Sequence, residues 1–134
     1  MLKDIPKLVV ENVAIAIVQE KNDLGEIVWN SYLINLYDEK IDGVLVSSKG
    51  YGNYDGRNVK TSMLRHLIGT VDAHDYAKIE PIMSNVFGLT NEFWVSFYLK
   101  KDMYDKKYIF LPETIREENF TTIPFLNKRG VMIK

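Results

Sequence analysis

Apolar and polar residues alternate with a period of two along most of this chain, the pattern of strands that bury one face. Val9 to Glu20 is expected to form a first strand, with Val13, Ile15 and Ile17 on one face and the small Ala14 and Ala16 on the other. Asn22 to Gly25 supplies residues that tolerate the positive φ of tight turns. Ile27 to Tyr37 makes a second strand, and Asp38 to Gly43 turns into a third, Val44 to Ser48. In Thr61 to Val71, Met63, Leu64, Leu67, Ile68 and Val71 fit a helical stripe, but the β-branched residues and Gly69 favour a bent strand, and strand is the expectation. Ala77 to Met83 is a short strand. Glu92 to Leu99 is a stronger one, and Lys106 to Leu111 is its partner across the loop Lys101 to Asp105. Pro112 to Asn119 has the composition of two helical turns. Phe120 to Lys134 reads as irregular, with a closing strand at Gly130 to Ile133.

Roughly seven or eight short strands separated by regular turn signals predict an all-β fold, an antiparallel β-sandwich. Within it, NLYDEKIDGVLV resembles the second and third strands of immunoglobulin-like and fibronectin type III-like sandwiches. TVDAHDYAKIEPI is similar to the turn and strand that follow in such domains. The resemblance implies an immunoglobulin-like sandwich and carries no residue role with it. The chain departs from antibody domains in lacking a cysteine pair, and Trp29 stands at the head of the second strand. Residues 1–134 are expected to form one domain, with 112–134 as a short helix or irregular tail packed on the sheet.

Composition narrows the functional classes. The chain has 134 residues, a formal net charge of −1, 46% hydrophobic and 26% charged residues, the balance of a globular domain rather than a disordered one. Near-neutrality speaks against nucleic acid and anionic membranes as partners. The absence of cysteine removes disulfides, thiol nucleophiles and Cys-ligated metal centres. With only two histidines, neither a metal nor another cofactor is expected. The longest apolar run, Val13 to Val18, is far shorter than a membrane span. Charges at Lys3, Asp4 and Lys7 leave no apolar core for a signal peptide, so the expected compartment is the cytoplasm.

GYGNYDGR, residues 50–57, is the most glycine-rich stretch. It lacks the third glycine of a dinucleotide fingerprint and the Gly-Lys-Ser/Thr of a phosphate loop, and Asp55 would repel phosphate. The expectation is a mobile connecting loop, with Tyr51, Tyr54 and Arg57 as candidate partner contacts. Asp72, His74 and Asp75 place carboxylates beside imidazole, the ingredients of a general base, which makes an enzyme of unrecognised type one alternative. Their position in one turn fits backbone capping better. No serine stands in a Gly-x-Ser-x-Gly elbow. Lys100 to Lys107 concentrates four lysines near Tyr98, Tyr104 and Tyr108, the outline of a small RNA-binding platform, although Asp102 and Asp105 offset its charge.

The hairpin from 92 to 112 carries the functional expectation. If Lys100 pairs with Lys106, Phe97 faces Ile109 and Val95 faces Leu111. The inner face is then Phe93, Val95, Phe97, Leu99, Ile109 and Leu111. Trp94, Ser96, Tyr98, Tyr108 and Phe110 fall outside, too much aromatic surface to leave in water. The tail is one expected cover, through Phe120, Ile123, Phe125 and Leu126; a protein partner or second protomer is the other. The chain therefore reads as a non-catalytic protein-interaction or assembly module, with Trp94, Tyr98, Tyr108 and Phe110 as its contact residues.

Overall fold

A computed structural model describes residues 8–134, and of Tyr54 the backbone alone. The fold is all-β, two antiparallel sheets with only single 3₁₀ turns between strands. One sheet holds β1 (Val13–Lys21), β2 (Ile27–Asn35), β6 (Asp75–Ile82), β9 (Thr121–Ile123) and β10 (Lys128–Ile133), in the order β6-β2-β1-β10-β9. The other holds β3 (Ile41–Tyr54), β4 (Arg57–Lys60), β7 (Thr90–Leu99) and β8 (Asp102–Phe110), in the order β4-β3-β7-β8. The remaining strand, β5 (Leu64–Val71), pairs with β3. Alternation explains the core between them. Val13, Ile15, Ile17 and Leu33 of the first sheet meet Val44, Val46, Phe93, Val95 and Phe97 of the second.

Four expectations give way to the observed pairing. The GYGNYDGR stretch is not a connecting loop but a hairpin: β3 runs through Tyr54, and Asp55-Gly56 turns it into β4. Both turn residues have positive φ, 53° and 76°, the requirement of the two-residue type I′ hairpin that Asp-Gly favours. Pro112 to Asn119 does not make two helical turns; it contains one 3₁₀ turn, Glu117–Asn119.

The third correction is the 92–112 hairpin. Its turn has two residues, Lys100 and Lys101, with Lys100 at φ 58°. Trp94 therefore faces Lys107 and Phe93 faces Tyr108, an odd-numbered shift from the expected register. An odd shift exchanges the two faces of the whole strand. Tyr108 and Phe110 consequently point into the core, while Ile109 and Leu111 lie outside. Tyr108 donates its hydroxyl to the Val13 carbonyl at 2.5 Å, joining the two sheets. Phe110 meets Phe93 edge to face at 5.9 Å.

The tail supplies the fourth. Instead of lying over Trp94, β10 pairs with β1, Ile15 opposite Ile133 and Ile17 opposite Val131. Ile115 and Val131 enter the main core, and Phe120 packs against Trp29. Ile123 joins Ala14, Ala16, Val18, Tyr32 and Ile34 in a second buried cluster on the far side of the first sheet, with Leu126 against it. β1 is thus buried on both faces. That accounts for its unbroken apolar run, since a strand covered on two sides has no solvent face to keep polar.

Candidate functional site

Among the described residues, the outer side of the second sheet is left uncovered. Cross-strand register orders it in rows. Leu67, Leu45, Ser96 and Asp105 stand side by side across β5, β3, β7 and β8. Arg65, Ser47, Trp94 and Lys107 form the next row, and Lys49, Glu92 and Ile109 the one after. Trp94 is 43% exposed, Tyr98 47% and Leu67 78%, with Leu45, Met103 and Ile109 also open to solvent.

Charges of both signs thread this apolar surface. Glu92 lies 3.6 Å from Lys49 and 3.9 Å from Lys107, and accepts a hydrogen bond from the Tyr51 hydroxyl at 3.3 Å. Lys107 also sits 5.5 Å above the Trp94 ring, within reach of a cation–π contact. Loss of hydration and the neighbouring Glu92 carboxylate hold the Tyr51 phenol above its ordinary pKa. These contacts orient the aromatic rings without removing them from solvent.

The structure brings some expected residues together and separates others. Trp94 and Tyr98 share the outer face, and Tyr51 is tied to it through Glu92. Tyr108 and Phe110 are core residues, and burial raises the Tyr108 phenol well above its ordinary value. Arg57 is exposed at the far end of the β3–β4 hairpin, opposite Tyr54, whose side chain lies outside the described residues. Of the lysines at the other tip, Lys100 lies 3.8 Å from Glu39, Lys106 sits 5.2 Å over the Tyr108 ring, and Lys107 belongs to the Glu92 cluster.

Asp72, His74 and Asp75 act on the backbone and on packing. Asp75 accepts from the Tyr76 amide at 2.7 Å, the Asp72 carbonyl accepts from Asn35 at 2.9 Å, and His74 lies against Phe125 at 6.1 Å between ring centres. Among the described residues no three His, Asp or Glu side chains converge as metal ligands would.

Two polar clusters escape sequence reasoning. Glu20 accepts hydrogen bonds from Asn30 at 3.0 Å, from the Tyr32 hydroxyl and from the Lys128 ammonium. Burial pushes its carboxyl up, but Lys128, Tyr32 and Asn30 together outweigh burial and leave the pKa below the ordinary value. The second cluster arises from a bulge. Ser31 pairs with Glu80 but Tyr32 pairs with Lys78, so Ile79 is the extra residue and Glu80 turns to the inner side with Ser31. There Glu80 Oε1 accepts the Ser48 hydroxyl and lies 3.3 Å from His66 Nε2. That nitrogen is off the hydrogen-bonding line and has no partner among the described residues. The carboxylate, not the imidazole, touches the serine, so the order is wrong for a hydrolytic triad in which imidazole takes the serine proton. Simple alternation would place Glu80 beside Lys78 on the outside, and nothing in the residue pattern announces the bulge.

Comparison of the chain with protein-family models, with curated proteins and with solved structures finds no match.

Proposed function

We propose that this chain is a non-catalytic protein-interaction or assembly module that binds its partner on the outer face of the second sheet. The observation that carries the reading is the exposed Trp94, Tyr98, Leu45, Leu67, Met103 and Ile109 on one face of the sheet. Contiguous apolar surface rimmed by charge is characteristic of protein contact sites, and Trp and Tyr supply much of the affinity at such contacts. The strands have 8, 14, 10 and 9 residues; at about 3.3 Å per residue and about 4.8 Å between strands they make a face of about 600 Å², the scale of the smaller protein interfaces. A cleft of about 410 Å³ opens at one end of this face, lined by Lys49, Tyr51, Lys60 and Glu92.

An immunoglobulin-like sandwich of the fibronectin type III kind belongs to the same reading. Its support is the pairing order. β6-β2-β1 against β5-β3-β7-β8 corresponds to strands E-B-A against C′-C-F-G of that family. β10 and β9 extend the first sheet beyond β1, and β4 lengthens the edge that β5 occupies.

Site-specific photo-crosslinking tests the proposal. A photoreactive residue placed at Tyr98 in cells should give a discrete protein adduct, whose mass distinguishes a second copy of the chain from a different partner. Leu67→Lys in the same background should remove it. No adduct, or an equal yield from the exposed turn residue Asp23, overturns the reading.

A further inference from the structure

At one open end of the sandwich, away from the Trp94 face, a cleft of about 400 Å³ lies between β3 and β5 on one side and β6 with the following 3₁₀ turn, Ser84–Val86, on the other. That volume lies within the range of small-molecule sites. Phe93 forms part of its lining, Leu64, Ile82 and Met83 give it apolar walls, and Ser62 and Asn85 are among its polar residues. Glu80 is the charged side chain turned into it, brought there by the Ile79 bulge.

The carboxylate is only 12% exposed, yet among the described residues no lysine or arginine is paired with it. Its Oε1 accepts the Ser48 hydroxyl, and the hydrogen bonds of the described residues leave Oε2 without a donor. Lys49 also borders the cleft, but its ammonium is drawn to the other side of the sheet by Glu92 at 3.6 Å and by the Tyr51 ring at 5.7 Å. His66 lies close but out of line. Holding a carboxylate away from bulk water is costly unless a cation or several donors compensate. A bulge that re-aims one side chain is also a device that recurs beside functional sites.

We propose that this cleft receives an ammonium or guanidinium group on a short apolar stem, with Glu80 as its counter-ion. The cation donates to Glu80 Oε2, with Ser62 and Asn85 as polar neighbours in the same lining. The stem lies along Leu64, Ile82 and Met83. A free alkylamine and a lysine or arginine side chain on a peptide share this chemistry. The site is separate from the Trp94 face and does not depend on its being an interface.

Amide chemical-shift titration provides the test. n-Butylammonium and N-acetyl-lysine N-methylamide should each shift the resonances of Ser48, Glu80 and Asn85, whereas neutral 1-butanol should bind at least about tenfold more weakly, the scale of one modest charge pair. Tighter binding of the lysine derivative identifies a peptide side chain as the source; tighter binding of butylammonium identifies a free amine. Glu80→Gln keeps an acceptor for Ser48 and should weaken both cations at least about tenfold, while His66→Gln should leave them bound. Equal binding of 1-butanol to the unaltered chain, or undiminished cation binding by Glu80→Gln, overturns the proposal. The 1-butanol comparison decides the question even if the Glu80 variant does not fold.

Discussion

Gly130 is the residue on which the tail's attachment rests. A Cβ added there would stand 2.2 Å from the Ile17 carbonyl oxygen and 2.9 Å from the Val18 Cα, both backbone atoms with no rotamer to yield. Gly130→Ala should therefore push β10 off β1 and lower stability by about 1–3 kcal/mol, the scale of core overpacking, as read from the urea midpoint. The Glu20 cluster gives a second residue-scale expectation. Its folded pKa lies below the ordinary 4.5, so the native chain keeps this charge further into acid than the unfolded chain does. The contribution is fully present above about pH 4.5 and is lost as pH falls through the lower folded value. Glu20→Gln should accordingly be less stable than the parent at neutral pH, and the gap should narrow below pH 4.5. A gap that is constant across a pH series of urea melts would show that the carboxylate charge contributes nothing. Neither residue is conspicuous in the sequence. Gly130 reads as an ordinary strand start, and Glu20 gains its partners from β2 and β10, far along the chain.

At the scale of elements, strand identity was legible and strand facing was not. The apolar run marked β1, β-branched residues and Gly69 favoured β5, and alternation located β7, because a half-buried strand must repeat every two residues. Which β8 residues joined the core depended on the length of one turn, and Lys100-Lys101 carries none of the glycine or asparagine that marks two-residue hairpins. The opposite error occurred at Asp55-Gly56, where the turn signal was present but three nearby glycines suggested a loop. Lys100 holds φ 58°, a conformation that costs an L-residue with a Cβ roughly 1 kcal/mol. Lys100→Gly should then raise stability by about 0.5–1 kcal/mol without moving the β7–β8 register. Thermal melting checks the first part, and cross-strand nuclear Overhauser contacts between Phe93 and Tyr108 check the second.

For the whole molecule, the tail is a structural part of the first sheet. Truncation after Pro112 would remove β9 and β10, uncover the Ala14, Ala16 and Val18 side of β1, and take Ile115 and Val131 from the main core. Fully burying side chains of this size is worth about 1.5–3 kcal/mol each, so the combined loss rivals the 5–15 kcal/mol by which domains are ordinarily stable. The truncated chain should lack a cooperative thermal transition and near-ultraviolet dichroism. A truncated chain that melts cooperatively would show that β1 is held by β2 alone. The all-β character followed from the residue pattern, whereas the placement of the tail, the cleft at Glu80 and the composition of the exposed face all depended on pairings distant in sequence.

The pairing of β1 with β10 also sets a schedule. Ile15 meets Ile133, so the first strand cannot complete its hydrogen bonding until residue 133 has been synthesised. Translation adds about 5–20 residues each second, which leaves an apolar edge waiting for seconds on the ribosome. During that interval the open edge of β1 is a template for any other extended segment. The nascent chain is therefore most vulnerable before residue 128 emerges, and a stall before that point would release an incomplete sheet ready to pair with its neighbours.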